Sequence, residues 1–450
     1  MKITVSKSDL QGKVKIPSSK SMTIRALFCA ALARGESEII NPLISDDTNY
    51  AADVLSKVGI VIKDIDGVWH VSGGHFRIPS DELNCGESAT TLRFMTALVS
   101  LLPGTIKLTG GASLNQRPIR ALVDALRMLG VKGSTATPLN PPVTVTGGTF
   151  KGGVAEIPGN VSSQYISALL MIGSFAPAET VIKLTTPLTS RPYILMTLKV
   201  LRQFGITVRH EGNNFRVPRQ RYEPCKITIE GDWSSASYFL ALGAISEKGV
   251  IVENISTSSR QGDRVILDML RGMGVEVRVI GNSVAIKKGE EHLKPVSVDL
   301  TDCIDLFPTV AALAALARGK SEIRGIQRAR IKESNRVTAM REGLTRLGVQ
   351  FAEFKEYCTI EGLNTDKKTD DDTGTKENLL EKPEDFFEEE KKKPEINIDS
   401  YNDHRIAMAF AIMGTAIGGV AINNAECVKK TFPDFWKYFK EIGGDFTAYE

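Results

Sequence analysis

The sequence predicts an α/β protein assembled from six copies of one unit, and three observations carry that prediction. A helical phrase closing on a glycine turn recurs six times. A helix with a small polar start and an apolar body also recurs six times, and strand-like alternation follows most of the glycines.

The first phrase is amphipathic and closes on Leu-x-x-Leu-Gly-Val or a variant. It runs from Asn49 to Ile60, Ala121 to Val131, Leu195 to Ile206, Ile266 to Val275, Ala339 to Val349 and Phe435 to Gly443. Gly59, Gly130, Gly205, Gly274, Gly348 and Gly443 stand where a helix stops on a residue of positive φ. Alternation then resumes, as in Val275-Glu276-Val277-Arg278-Val279.

The second phrase opens on Ser18-Ser19-Lys20-Ser21, Glu87-Ser88-Ala89-Thr90, Ser162-Ser163-Gln164, Ser234-Ser235, Asp302 to Asp305, and Asn402-Asp403-His404-Arg405. The helices that follow are apolar nearly all round, so they belong inside, with the sheets outside them. The repeat alone does not decide how six units are grouped. The glycines lie 71, 75, 69, 74 and 95 residues apart. The long interval contains residues 366–395, of which 19 of 30 are charged, and this stretch is expected to be an exposed charged insertion.

Composition excludes several function classes. The 450 residues are 42% hydrophobic and 24% charged, an ordinary globular balance. With 56 basic and 53 acidic residues, the net charge of +3 gives no general attraction to nucleic acid or to an anionic membrane. Cys29, Cys85, Cys225, Cys303, Cys358 and Cys427 form no C-x-x-C pair, and the histidines show no H-x-x-x-H spacing. Reduced thiols, a cytoplasmic setting and no metal site are therefore expected. The chain opens on strand-like alternation rather than a signal-peptide core. Its longest apolar run, Ala407 to Ile422, is short of the roughly 20 residues that span a bilayer and reads as a buried helix and turn.

The polar helix starts are where chemistry is expected. Unpaired N–H groups and the helix dipole favour anions there. Lys20 and Arg25 lie at the first start, Arg93 one turn into the second, and Arg405 at the sixth. Ser162, Ser163 and Gln164 open the third, whereas Ser234 and Ser235 read as caps. Three loops add cations before amphipathic helices: Asn115-Gln116-Arg117-Pro118, Ser190-Arg191-Pro192-Tyr193, and the charge-dense stretch Arg328 to Arg336. So many cations on one cleft call for substrates with several anionic groups, arginine suiting planar carboxylates and phosphates. Asp305 and Glu333 are the candidate acid and base.

These motifs resemble the 5-enolpyruvylshikimate-3-phosphate (EPSP) synthases, or 3-phosphoshikimate 1-carboxyvinyltransferases. The matching residues are Pro17 to Ser21 with Arg25, Gly86 to Arg93, Gln116 to Ile119, Ser162 to Tyr165, Gly231 to Ala236, Arg330 to Ser334 with Arg336, and Asp403 to Met408. The resemblance spans nearly the whole chain outside the insertion. It implies two similar domains, each of three βαβαββ units around buried helices, an inside-out α/β barrel with the active site in the interdomain cleft. The domains would be 14–230, and 1–13 with 231–450, the chain crossing near residues 13 and 231.

The implied reaction moves the enolpyruvyl group of phosphoenolpyruvate to the 5-hydroxyl of shikimate 3-phosphate, with no metal or organic cofactor. By motif position, Ser21, Arg25, Ser162, Ser163, Ser190, Tyr193 and Lys332 would hold shikimate 3-phosphate, with Lys20, Gln164 and Asp305 within its reach. Lys20, Arg117 and Gln164 would hold the phosphate of phosphoenolpyruvate, with Ala89 beside it, and Arg336 and Arg405 its carboxylate. The role of the lysine absent at Glu426 is not carried over; Lys429 and Lys430 are the candidates to substitute for it. Asp305 would take the hydroxyl proton, and Glu333 with Lys20 would manage protons at the methylene carbon. A monomer acting on two small molecules, without nucleic acid or membrane, is expected. Two alternatives fit these residues less well. The sister transferase acting on UDP-N-acetylglucosamine usually has Lys-Asn in place of Lys20-Ser21 and a reactive cysteine, which residues 103–118 lack. An inactive homologue binding a partner through the insertion does not explain intact Lys20, Asp305, Glu333, Arg336 and Arg405.

Three positions depart from the commonest pattern, one being Glu426, which stands where some members have a lysine reaching the phosphate. Arg328 stands where some members have asparagine, and Ala89 where many have glycine. The added methyl beside the phosphoenolpyruvate site predicts reduced sensitivity to glyphosate, an inhibitor of that site in this family. Inhibition curves should show Ala89→Gly to be the more sensitive form; potent block of the unsubstituted enzyme, unchanged by Ala89→Gly, would overturn the expectation.

Overall fold

The computed structural model describes residues 1–363 and 395–449. The expected charged insertion therefore lies, but for Glu395, outside the described residues. Twelve α-helices are described, alternating between inner and outer positions. The first half holds α1 (Lys20–Leu32), α2 (Asp46–Lys57), α3 (Ala89–Leu98), α4 (Arg120–Met128), α5 (Ser163–Ile172) and α6 (Arg191–Gln203). The second holds α7 (Trp233–Ala244), α8 (Ile266–Gly272), α9 (Phe307–Leu316), α10 (Arg336–Arg346), α11 (His404–Ile417) and α12 (Phe435–Glu441).

The odd-numbered helices are the apolar ones, and they are buried almost along their whole length; every residue of α7 is inside. Burying each large apolar side chain contributes about 1.5–3 kcal/mol, so these helices have no stable exposed alternative. The even-numbered helices are amphipathic and end on the six repeat glycines, all with positive φ from 79° at Gly205 to 102° at Gly59. A side chain there would force a left-handed conformation that only glycine adopts without strain. Ala407 to Ile422 forms most of α11, a turn at Gly418-Gly419 and part of the strand Val420–Asn423. Among the described residues no helix is long and apolar enough to cross a membrane.

Six four-stranded sheets surround the inner helices. In the second unit, Leu83–Asn84 pairs parallel with Gly104–Thr109, which pairs antiparallel with Val143–Gly147, itself antiparallel to Lys132–Thr135. The third and fifth units repeat this order with consecutive strands. The others borrow. Gln11–Lys15, which leads into α1, pairs instead with Gly249–Glu253 of the fourth unit. Lys226–Thr228, which leads towards α7, pairs with Gly35–Ile40 of the first. The N-terminal strand Lys2–Val5 sits between Val420–Asn423 and Phe446–Tyr449 and completes the sixth sheet.

Two hydrophobic cores result. One gathers residues from Met22 to Ile229, the other Ile3 to Ile16 with Trp233 to Ile442. We propose these as the two domains, with the first crossing after Ile16 rather than near residue 13, because Val14 and Ile16 pack in the second core. The crossing strands lie side by side: Ser19 N–H donates to Glu230 C=O at 2.8 Å, and Asp232 N–H to Pro17 C=O at 2.9 Å. Gln261 clamps one of them, accepting from Trp233 N–H at 3.0 Å and donating to Gly231 C=O at 2.8 Å.

Gly231 has no room for a side chain, since a Cβ would lie 1.8 Å from the Asn254 carbonyl oxygen. Gly231→Ala should cost about 1–3 kcal/mol through overpacking. Gly272→Ala, where a Cβ meets nothing within 4 Å, should gain about 0.5–1 kcal/mol from helix propensity. Denaturant unfolding of the two variants should move in opposite directions.

Candidate active site

Five of the six inner helix starts meet at one cleft between the halves. Lys20 and Ser21 reach it from α1, Ala89, Thr90 and Arg93 from α3, and Ser162, Ser163 and Gln164 from α5. The turn before α9 brings Asp305, and α11 brings Arg405. The fourth start does not take part: Asp232 caps Ser235 N–H at 2.8 Å and Ser234 donates to Asp263, the capping role read from its sequence. The three cationic loops supply the rest, namely Arg117 before α4, Ser190 and Tyr193 at α6, and Arg328, Lys332, Glu333 and Arg336 around the start of α10.

The second half contributes a charge network around Arg336, which is only 1% exposed. Its Nε donates to Asp403 Oδ2 at 2.8 Å, one terminal nitrogen to Asp305 Oδ1 at 2.8 Å, and the other to Glu333 Oε2 at 2.5 Å. Asp305 is also 3.2 Å from Lys332 Nζ and 3.6 Å from Arg405, and it accepts from the Tyr193 hydroxyl of the first half at 2.7 Å. Asp403 caps α11 through Arg405 N–H at 3.0 Å and accepts from Ser334 at 3.0 Å. The motif containing Asp403 was legible, but its role as a partner of Arg336 was not.

These contacts set the ionisation of the cleft. Burial pushes Asp305 up, but the Lys332, Arg405 and Arg336 cations outweigh it and hold its carboxyl well below the usual range. Glu333 follows the same logic: burial raises it, and Arg336 first, then Arg117 and more distant Lys20, bring it well below. Both are anions at neutral pH. Burial lowers Lys332, with Asp305 opposing. His404, buried at the start of α11 beside Arg405, is held neutral by desolvation first and that cation second.

The first half faces this network with cations and amides. Lys20 Nζ lies 2.9 Å from Asp47 Oδ2 at the start of α2. Arg93 donates to Ser162 Oγ at 3.3 Å, to Gln164 Oε1, and to Pro118 C=O at 3.2 Å, so the Gln164 amide is turned to present Nε2, 2.8 Å from Thr90 Oγ1. The sequence marked Arg93 as a cation without a role and missed Asp47, although Ser45-Asp46-Asp47 is a recognisable helix start. Ser190 takes a left-handed φ of 55° and donates its N–H to Thr301 C=O at 3.3 Å across the halves.

The expected residues line the cleft, apart from Arg25 and the two candidate lysines. Arg25 lies behind it, its donors spent on Thr197 Oγ1 at 2.8 Å and the Ser21 carbonyl at 2.9 Å, and burial lowers its pKa to about 10. Of the two candidate lysines, Lys430 is buried and faces an adjoining space with Asp46, Asp47 and Glu87, whereas Lys429 faces solvent.

With this geometry established, comparison with known proteins is decisive. The family model described as EPSP synthase (3-phosphoshikimate 1-carboxyvinyltransferase) matches residues 5–439. The chain belongs to the EPSP synthase family. Relatives named 3-phosphoshikimate 1-carboxyvinyltransferase include one from Dehalococcoides mccartyi, 41% identical with 99% of each chain covered, and one from Methanothermobacter thermautotrophicus, 40% identical over 98% of this chain and 99% of the other. The solved EPSP synthase of Acinetobacter baumannii is similar over 100% of both chains, with a TM-score of 0.77 at 25% identity. The enolpyruvyl transferase NikO of Streptomyces tendae, at 17% identity and a TM-score of 0.74 over 99% of this chain and 98% of that one, shares the fold. The EPSP synthase architecture of two three-unit halves is thus the one seen here.

Removing Arg336 would leave buried Asp403 without its cation and weaken the pairing of Asp305 and Glu333. Arg336→Ala should destabilise the protein by about 3–5 kcal/mol at pH 7, measured by denaturant unfolding. Carboxylates held low stabilise the fold above their unfolded pKa near 4, and that contribution is lost as pH falls through their folded values. The wild-type advantage should therefore persist from neutrality down to about pH 4 and shrink below it. A gap that widens in acid would contradict the assignment of these ion pairs.

Proposed function

We propose that the chain transfers the enolpyruvyl group of phosphoenolpyruvate to the 5-hydroxyl of shikimate 3-phosphate and releases phosphate. Family membership supports the reaction. The observation that carries the residue roles is a cleft in which Lys20, Arg117, Lys332, Arg336 and Arg405 are held by Asp47, Asp305, Glu333 and Asp403 at 2.5–3.6 Å. Two multiply charged substrates would meet cations that the carboxylates already hold in place.

The phosphate of phosphoenolpyruvate is assigned to Lys20, Arg117 and the turned-out amide of Gln164. Its carboxylate is assigned to Arg405 and Arg336. Arg405 is the freer of the two, touching Asp305 only at 3.5 and 3.6 Å. Shikimate 3-phosphate is assigned to Ser21, Ser162, Ser163, Ser190, Tyr193 and Lys332. Arg25 acts from behind this group, through the Ser21 and Tyr193 backbone carbonyls it holds.

In the addition step the 5-hydroxyl attacks C2 of phosphoenolpyruvate, Asp305 takes the hydroxyl proton, and the Lys20 ammonium in the cleft gives a proton to C3, which becomes a methyl. In the elimination step Glu333 removes a proton from that methyl, the C2–O bond to phosphate breaks, and the double bond returns. Asp305 is a weak base while three cations surround it. Substrate anions that neutralise Lys332, Arg336 and Arg405 raise its proton affinity when it must accept. Charge built on the leaving phosphate meets donors already in place.

A UDP-sugar acceptor is the less favoured reading, since Ser21 and not asparagine follows Lys20. One chain supplies both walls of the cleft, so a monomer suffices. Scattered cysteines without paired spacing suit the cytoplasm.

Phosphate release with both substrates tests the reading, and folded protein inactive on shikimate 3-phosphate would refute it. Asp305→Ala should lower turnover by at least about 10²-fold while phosphoenolpyruvate binding remains measurable. Unchanged turnover would remove Asp305 from the chemistry.

A further inference from the structure

The loop that carries Arg117 is fastened by a side chain to which the transfer mechanism assigns no part. This loop leaves the strand Gly104–Thr109, passes through the short 3-10 turn Leu114–Gln116 and delivers Arg117 to the cleft. Glu87, two residues ahead of α3, accepts from Ser113 N–H at 3.2 Å on one carboxylate oxygen and from Leu114 N–H at 2.7 Å on the other. The loop is shaped to this carboxylate. A Cβ on Gly111 would lie 2.1 Å from Glu87 Oε1, so glycine leaves the space that the side chain occupies.

Ser113, held in this way, works in two directions. Its hydroxyl donates to the Glu333 carbonyl across the cleft at 2.9 Å and accepts from Arg117 at 3.2 Å. Arg117 is buried, its Nε has no hydrogen-bond partner, and its other terminal nitrogen stands 3.6 Å from Glu333. The guanidinium therefore keeps donor capacity for an incoming anion, while its place is set through Ser113. A charge-assisted pair of hydrogen bonds at the base of the loop holds more firmly than neutral contacts would.

We propose that Glu87 is a positioning residue: by fixing the Ser113–Leu114 backbone it places Arg117 for the phosphate of phosphoenolpyruvate, and so sets affinity for that substrate without touching it. This rests on the assignment of Arg117 to that phosphate. Glu87→Gln keeps one acceptor oxygen and loses the charge, and Glu87→Ala loses both acceptors.

The test is steady-state kinetics on the full-length enzyme with each substrate varied in turn, together with the inhibition constant of inorganic phosphate and the thermal midpoint. Glu87→Ala should raise KM for phosphoenolpyruvate and the phosphate inhibition constant about tenfold, and Glu87→Gln less. KM for shikimate 3-phosphate should hold, and kcat should stay within about twofold. Arg117→Ala is the control. If it raises KM for phosphoenolpyruvate while folded Glu87→Ala does not, the inference fails alone. If Arg117→Ala itself leaves that KM unchanged, the phosphate assignment fails and the inference with it. If Glu87→Ala shifts kcat and both KM values together with a falling midpoint, Glu87 only stabilises the fold and the inference is overturned.

Discussion

Burying an isolated guanidinium costs several kcal/mol in lost hydration, and the second half of this protein offsets that cost with three carboxylates on Arg336. The three come from three places: Asp305 from the turn before α9, Glu333 from the loop before α10, and Asp403 from the cap of α11. Each has further duties. Asp403 starts its helix, Glu333 faces Arg117, and Asp305 collects Lys332, Arg405 and Tyr193. One buried charge thus holds three helix starts in register, and the two proposed catalytic carboxylates are among its partners.

The fold makes such convergence possible by turning the usual α/β arrangement inside out. Apolar helices in the middle of each half bring their starts to one end, where unpaired N–H groups need partners. The first half answers with hydroxyls, amides and cations, and the second with carboxylates and arginines. Cross-cleft contacts such as Tyr193 to Asp305 and Ser113 to Glu333 join these complementary faces. The fourth unit meets the same requirement by self-capping at Asp232, and its surroundings brace the crossing strands instead.

Much of the site was legible because it lies beside local signals. Serines at helix starts, Arg117 beside Pro118, and the charge-dense run to Arg336 mark themselves in a linear reading, whereas Arg191 beside Pro192 is exposed and its loop gives the cleft Ser190 and Tyr193 instead. The rest was hidden for physical reasons. Arg25 carries the residue type of a ligand, but its partners Thr197 and Tyr193 lie about 170 positions away, and only packing shows its donors already spent. Asp47, Arg93 and Glu87 act by orienting Lys20, Gln164 and the Arg117 loop, and such roles exist only as distances.

The sequence by itself determined the six units, their buried and amphipathic helices and the glycines that end them. Those properties depend on neighbours within a turn or two of the chain. Tertiary structure decided which strand completes which sheet. Gln11–Lys15 and Lys226–Thr228 are short strands with little to distinguish them, each ahead of a buried helix, and they exchange partners between the halves while Lys2–Val5 closes the sixth sheet. Strand pairing is a contact between distant residues whose backbone groups are chemically alike, so nothing in local composition selects it. The exchange is settled where the whole core closes, and it draws the two crossing strands together at the base of the cleft.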